Sequence, residues 1–232
     1  MSIHQPNFLP WLGFFDKVAR SDIFILLDDV QFEKNGWQNR NLIKGPEGSQ
    51  WLTVPILHHS QQLISEVRID NKGNWRRKHW NSISSNYGKA SFFNVYSSVF
   101  KEVYQQEWDR LIDLNIHLLG KMFDAMKIKT KICLSSDFQI STTSSSRLAS
   151  LCSAVEADIY LAGSEGKNYL DSDPFTSLRI QIEYQEYNSP EYSQLFGKFI
   201  PHLSGLDFLM NGHAICTRRT LWKKSNKSLS VV

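Results

Sequence analysis

The chain has 232 residues, 41% of them hydrophobic and 21% charged, with a formal net charge of +3 at pH 7. That length buries a full core and that composition excludes disorder beyond the ends, while no apolar run reaches the roughly 20 residues needed to cross a bilayer. The basic residues are scattered apart from Arg76-Arg77-Lys78 and a late group of Arg218, Arg219, Lys223, Lys224 and Lys227, and no nucleic-acid-binding motif accompanies them.

Met1 leads straight into a strand-like stretch rather than a charged and hydrophobic leader, so a cytoplasmic protein is expected. Cys133, Cys152 and Cys216 are odd in number, widely separated and without metal spacing. They read as reduced, small apolar residues, and no metal site is expected.

The chain opens with a short strand, a turn holding Pro6 and Pro10, a helix from about Leu12, and an apolar strand Ile23-Phe-Ile-Leu-Leu-Asp28. This is a βαβ unit whose first connection is chemically crowded. The prolines stiffen it, Gly13 removes a side chain at the helix start, and His4, Gln5, Asn7 and Trp11 supply polar and stacking groups. In an open α/β sheet the carboxyl end of a strand and the next helix N-terminus are where phosphates and nucleotides dock. The turn therefore reads as a ligand contact; an ordinary tight turn with Trp11 in the core is the alternative.

Asp28, Asp29 and Gln31 close the second strand, and either carboxylate suits a base, a magnesium ligand or an acceptor for an amine or ribose. Neighbours on a strand point to opposite faces, so one of the two is expected to serve a given pocket. The polar loop 33–41 follows and should face the same sheet end as Gln5. In it Trp37, Gln38, Arg40 and Asn41 form a polar and aromatic cluster, with Arg40 able to clamp a carboxylate or phosphate; plain solvent exposure is the alternative. Two short strands around Gly45-Pro-Glu-Gly48 read as a hairpin.

Residues 65–128 change character. Trp75, His79, Trp80, Ile83 and Tyr87, then Phe93, Tyr96, Phe100 and Val103, then Leu111, Leu114, Leu118 and Phe123 recur at helical spacing. The segment reads as a helical insertion between an N-terminal part of the core (1–64) and a C-terminal part (129–232), with His79 a buried, satisfied histidine. An αβ pattern then returns with a strand at 131–135, a Ser/Thr-rich stretch at 141–146 that reads as a helix cap or, alternatively, a hydroxyl-lined anion pocket opposite the glycine loop, a helix at 147–157, a strand at 158–162 and a late strand within 178–187. Gly163-Ser-Glu-Gly166 could cradle phosphate with Ser164, Lys167 and Asn168 beside it, or be a plain turn; it lacks the Walker spacing. Ser204 and Asp207 stand as N-cap and N3 of a last helix that Asn211-Gly212 stops. No GxSxG, HExxH, CxxC or GxGxxG signature occurs.

Gln5-Pro-Asn-Phe-Leu-Pro-Trp-Leu-Gly-Phe14, Asp29-Val-Gln-Phe32, Trp37-Gln-Asn-Arg-Asn41, Trp51-Leu-Thr-Val-Pro55, residues 163–171, Tyr192-Ser-Gln194 and Leu203-Ser-Gly-Leu-Asp207 through Asn211-Gly212 together resemble the WbqC-like family over nearly the whole chain. That resemblance implies a setting in O-antigen and other surface-polysaccharide (lipopolysaccharide) biosynthesis. The opening unit and Ser164-Glu-Gly-Lys-Asn-Tyr-Leu170 are also distantly similar to pantothenate synthetase and the nucleotidylyl-transferase group, although Trp11 and Phe14 stand where that group has its phosphate-gripping histidines. The expected fold is α/β, Rossmann-like (nucleotidylyl-transferase-like), with a mainly parallel sheet and an inserted helical segment.

The expected activity is an amide-forming acyl or aminoacyl (glycyl) transferase or ATP-dependent ligase on an amino sugar or nucleotide-linked amino sugar. His4, Asp28 or Asp29 would be the base. Gln5, Asn7, Trp11, Gln31, Trp37, Arg40 and Asn41 would bind substrate, and Gly163, Ser164, Gly166, Lys167 and Asn168 the phosphate or oxyanion. ATP and magnesium enter if the carboxylate is activated in place. The alternative is a non-catalytic sugar-nucleotide-binding or scaffold component of a polysaccharide assembly complex.

Overall fold

In the computed structural model, which describes residues 1–212, the chain opens with β1 (Ser2–His4), α1 (Leu12–Ala19) and β2 (Ile23–Leu26), and the two strands pair in parallel. Cys216 and the late basic group lie outside the described residues. After the helical middle, β7 (Lys131–Leu134) adds in parallel to the far side of β2. β8 (Ile159–Ala162) and β9 (Gln181–Tyr184) form a second parallel pair. Two hydrogen bonds join that pair to the first sheet: the Met1 ammonium donates to the Ile159 carbonyl at 2.8 Å, and the Leu161 N–H donates to the Met1 carbonyl at 2.9 Å. The order across the molecule is thus β9-β8-β1-β2-β7. Successive strands run outward one way from β1 to β7, and the direction reverses between β1 and β8.

Side-chain alternation places this sheet between two apolar layers. Phe24 and Leu26 of β2 join a large cluster with Phe14 and Phe15 of α1, while Ile3 and Ile25 face a smaller one with Ala149, Leu151, Cys152, Tyr160 and Phe175. The structure is a mixed α/β one with parallel strands. The large cluster continues into the helical middle, α2 (Trp75–Tyr87), α3 (Phe93–Gln105) and α4 (Leu111–Met126). Leu111, Leu114, Leu118, Met122 and Met126 form the buried stripe of α4 at the 3.6-residue period, and Leu206 and Leu209 of the last helix, α7 (Gly205–Asn211), complete the packing. The helices and the sheet therefore share one core.

β3 (Arg40–Gly45) and β4 (Gly48–Thr53) make the anticipated antiparallel hairpin, and Gly48 turns it at φ +114°. β5 (Ile56–Leu57) and β6 (Arg68–Ile69) form a second short antiparallel pair. Beyond β7, α5 (Ser144–Ala154) and α6 (Asp173–Ser177) flank β8.

Three local expectations change. β2 stops at Leu26, so Asp28 and Asp29 lie in the bend beyond it and are free to turn toward the same neighbour. α5 starts at Ser144, three residues early, so the serines form its first turn; Ser145 Oγ instead accepts from the Asp171 N–H at 3.0 Å. Ser204 does cap α7, accepting from the Leu206 N–H at 3.1 Å, but its own N–H goes to the Leu42 carbonyl, and Asp207 turns away to bind tyrosines. Among the described residues no helix is long and apolar enough to cross a membrane.

Candidate functional site

Where the strand order reverses, between the carboxyl ends of β1 and β8, the surface opens into a cavity of about 420 Å³. β1 contributes His4 and the next residue Gln5; Trp11, Gly13, Phe14 and Lys17 come from the start and inner face of α1; Gly163, Ser164, Glu165 and Tyr169 follow β8; Gln185 follows β9. Parallel strands aim their carboxyl ends here, and the chains leaving β1 and β8 diverge to opposite faces, so the gap is a consequence of topology. Its size suits a small ligand. A second hollow of similar volume near Ser65 and Arg110 holds the exposed Arg68–Asp109 ion pair and offers no comparable convergence of groups.

His4 donates from Nδ1 to the Gln5 carbonyl at 2.9 Å, which leaves Nε2 as an acceptor. Burial, reinforced by the nearby Lys17 ammonium, pulls its pKa down to about 3, so the ring is neutral at ordinary pH. Lys17, absent from the sequence expectations, is 4% exposed and donates from Nζ to the Ile3 carbonyl at 2.9 Å. Burial lowers its pKa to about 7. The signal was present: Lys17 falls three residues after Phe14, on the inward face of a helix with seven of its eight residues buried. Beside it, the Gln185 amide donates to Asp16 Oδ2 at 2.7 Å and to the Gly13 carbonyl at 2.8 Å, and burial raises the Asp16 pKa.

The turn that carries Gln5 is held from behind. Asn41 Nδ2 donates to the Phe8 and Leu9 carbonyls at 3.1 and 2.8 Å, and Asn115 Nδ2 donates to the Pro6 and Gln38 carbonyls at 3.0 and 2.7 Å. Gln38 Nε2 donates to Gln5 Oε1, so the loop 33–41 does meet the turn after β1. Asn7 is buried within this knot, and Gln31 pairs with Leu63. Trp11 packs edge-on to Tyr187 and His202, and a Cβ on Gly13 would lie 2.2 Å from its ring; glycine is required there.

Other expected residues sit off the cavity wall. Trp37 and Trp51 are exposed side by side, ring centres 5.5 Å apart, with the Arg40 guanidinium 4.4 Å over the Trp51 ring. Asp28 accepts from Ser135 Oγ and the Ser136 N–H at 3.0 Å each and from Ser136 Oγ at 2.7 Å. Asp29 pairs with Arg147 at 2.5 Å and also meets Ser135 Oγ. Both carboxylates therefore converge on one hydroxyl, contrary to the opposite-face expectation. With these oxygens engaged, the pair does not suit a magnesium ion, and no group of three or more candidate metal ligands occurs among the described residues.

In the loop after β8, Gly163 and Ser164 face the cavity, whereas Gly166 is a packing glycine. A Cβ there would come within 2.9 Å of Leu170, and its N–H already serves the Gly163 carbonyl. Lys167 lies 5.6 Å over the Tyr184 ring, and Asn168 donates to Glu165 at 3.2 Å. His79, expected to be buried and satisfied, is buried and bonded through Nε2 to the Thr53 carbonyl, while its Nδ1 is buried without a partner.

Among known proteins, the chain is 35% identical over 215 residues to the uncharacterized protein Rv1507c of Mycobacterium tuberculosis (strain ATCC 25618 / H37Rv), covering 91% of this chain and 93% of that one. No solved structure matches it. The model of the WbqC-like protein family matches residues 5–217, a span that includes the opening turn, the loop after β8 and the Asp207 knot. The chain belongs to the WbqC-like protein family.

Proposed function

We propose that this WbqC-like protein is a cytoplasmic enzyme with a Rossmann-like, nucleotidylyl-transferase-like core that forms an amide on an amino sugar. The sugar is free or nucleotide-linked, the group transferred is acyl or aminoacyl (glycyl included), and the setting is O-antigen or other surface-polysaccharide assembly. One observation carries the reading: a ligand-sized cavity at the reversal of a parallel strand order, where folds of this type bind nucleotides. His4 Nε2 and Gln5 offer hydrogen bonds to a ligand, Trp11 an aromatic wall, and Gly163 and Ser164 backbone and hydroxyl groups. ATP, with magnesium carried on its phosphates, belongs to the reaction if the acyl carboxylate is activated in place; no step is assigned to a metal on Asp28 and Asp29.

The test is incubation with nucleotide-linked amino sugars and acyl donors, with and without ATP, followed by mass spectrometry. The expected result is an amide product that Gln5→Ala diminishes without unfolding the protein. Failure of every donor and acceptor pair overturns the reaction.

The exposed Trp37–Trp51 pair, outside the cavity, favours a second reading, a non-catalytic sugar-nucleotide-binding or scaffold component. In that case Trp37→Ala abolishes partner binding, and no variant has turnover to lose.

A further inference from the structure

Among the described residues, Lys17 is the one cationic side chain on the wall of the cavity, and no carboxylate lies within ion-pairing distance of it. Its only hydrogen-bond partner there is the neutral Ile3 carbonyl, so Nζ retains two unused N–H directions. A buried ammonium without a counter-charge is costly, and the cost is relieved by deprotonation or by an arriving anion. The adjoining carboxylate, Asp16, is taken by Gln185 and Arg20.

We propose that the cavity is an anion site whose counter-ion is Lys17, a phosphate or carboxylate of the ligand pairing with Nζ beside Gly163 and Ser164. This rests on the reading of the cavity as the ligand site and adds the charge that the ligand must carry there. The titratable groups that line the cavity with Lys17 are His4 from β1, Tyr160 from β8, and Glu165 and Tyr169 from the loop beyond it. Glu165 is exposed at the rim and holds Asn168. His4 is neutral well above pH 3, so it takes no part in proton exchange near neutrality. With Lys17 close to half-protonated near pH 7, an anion that pairs with it draws a proton onto Nζ.

The experiment is isothermal titration at pH 8 in HEPES and in Tris, two buffers of different ionisation enthalpy. Uridine diphosphate and adenosine diphosphate are the phosphate probes, glycine and acetate the carboxylate probes. At least one probe should bind with a heat that depends on the buffer, reporting uptake of part of a proton, and whether it is a diphosphate or a carboxylate identifies the source of the anion. Lys17→Met should weaken that binding by at least about tenfold and remove the buffer dependence. The buffer dependence is measured on the unaltered protein, so it decides the matter even if the variant folds poorly.

Unchanged affinity in Lys17→Met, binding without proton uptake, or no binding by any of the four probes overturns the proposal. Amide formation that survives Lys17→Met with unaltered anion binding removes this inference and leaves the reaction standing. Lys17-dependent anion binding without amide product does the reverse.

Discussion

Gln38 and Gln5 meet side chain to side chain, Nε2 of the first donating to Oε1 of the second at 2.6 Å. The contact fastens the loop before β3 to the turn after β1, and Asn115 of α4 reinforces it from below by donating to the carbonyls of Pro6 and Gln38. One wall of the cavity is thus positioned by a buried amide of the helical middle. Asn115→Leu keeps the volume but leaves two buried carbonyls without a donor, which costs about 1–3 kcal/mol for each group stranded. Urea denaturation should show the lost stability, and ligand binding at Gln5 should weaken with it. Wild-type stability in Asn115→Leu would mean that water replaces the amide and that the wall does not depend on α4.

Gly13 and Trp11 are expected to be coupled. A methyl at Gly13 lies inside the van der Waals envelope of the Trp11 ring and forces it off Tyr187 and His202. Gly13→Ala should therefore destabilise the protein by about 1–3 kcal/mol as an overpacking change. Combined with Trp11→Ala, most of that penalty should vanish, so a double-mutant cycle should give a coupling above about 1 kcal/mol. Strict additivity would show that the ring yields freely.

The elements of the core were readable because their periods are strong: the apolar run of β2, the 3.6-residue stripe of α4, and the glycines bracketing the β3–β4 turn. What local pattern could not supply was the pairing of β8 with the chain start, which depends on a contact between residues 1 and 159–161. It also could not separate polar residues that face a cavity from those that hold backbone. Asn41, Asn115 and Asp28 carry the same groups as a binding site, yet each spends them on buried carbonyls, hydroxyls or an N–H. Conversely, Lys17, which the sequence reading did not single out, is buried with nearly all of α1.

Acid should unfold the protein through its buried histidines. His4 and His79 have pKa values lowered to about 3 and about 4, chiefly by burial, against 6.5 for an unfolded histidine. Above pH 6.5 neither state binds the proton and they contribute no slope. As pH falls below that value the unfolded chain takes up protons that the folded one refuses, and stability drops until about pH 4 for His79 and about pH 3 for His4. Asp16 and Asp207, with raised pKa values, act in the opposite sense, so the comparison of variants is the informative one. His79→Gln, which can still donate to the Thr53 carbonyl, should flatten the pH–stability curve between 4 and 6.5 by up to about 1.4 kcal/mol per pH unit. Parallel curves for the variant and the wild type would place the acid sensitivity elsewhere.

Tyr87 joins three elements through one hydroxyl. It accepts from the Lys44 N–H of β3 at 2.9 Å and donates to Asp207 Oδ1 of α7 at 2.8 Å, while Tyr192 and Gln194 donate to the other oxygen at 2.7 and 2.9 Å. Asp207 is fully buried, and desolvation raises its pKa even with these donors in place. Tyr87→Phe strands the Lys44 N–H and removes one donor from the carboxylate, a loss of about 1–3 kcal/mol. The loss should also depend on pH. With fewer donors to its ionised form the folded carboxyl titrates higher still, so the folded state holds a proton that the unfolded state has released, and stability falls as pH rises through that range. Denaturation of Tyr87→Phe and wild type at pH 5 and pH 8 should therefore show the larger penalty at pH 8. An equal penalty at both would mean that the stranded Lys44 N–H accounts for the whole effect and that Tyr192, Gln194 and Asn211 suffice to hold the Asp207 charge.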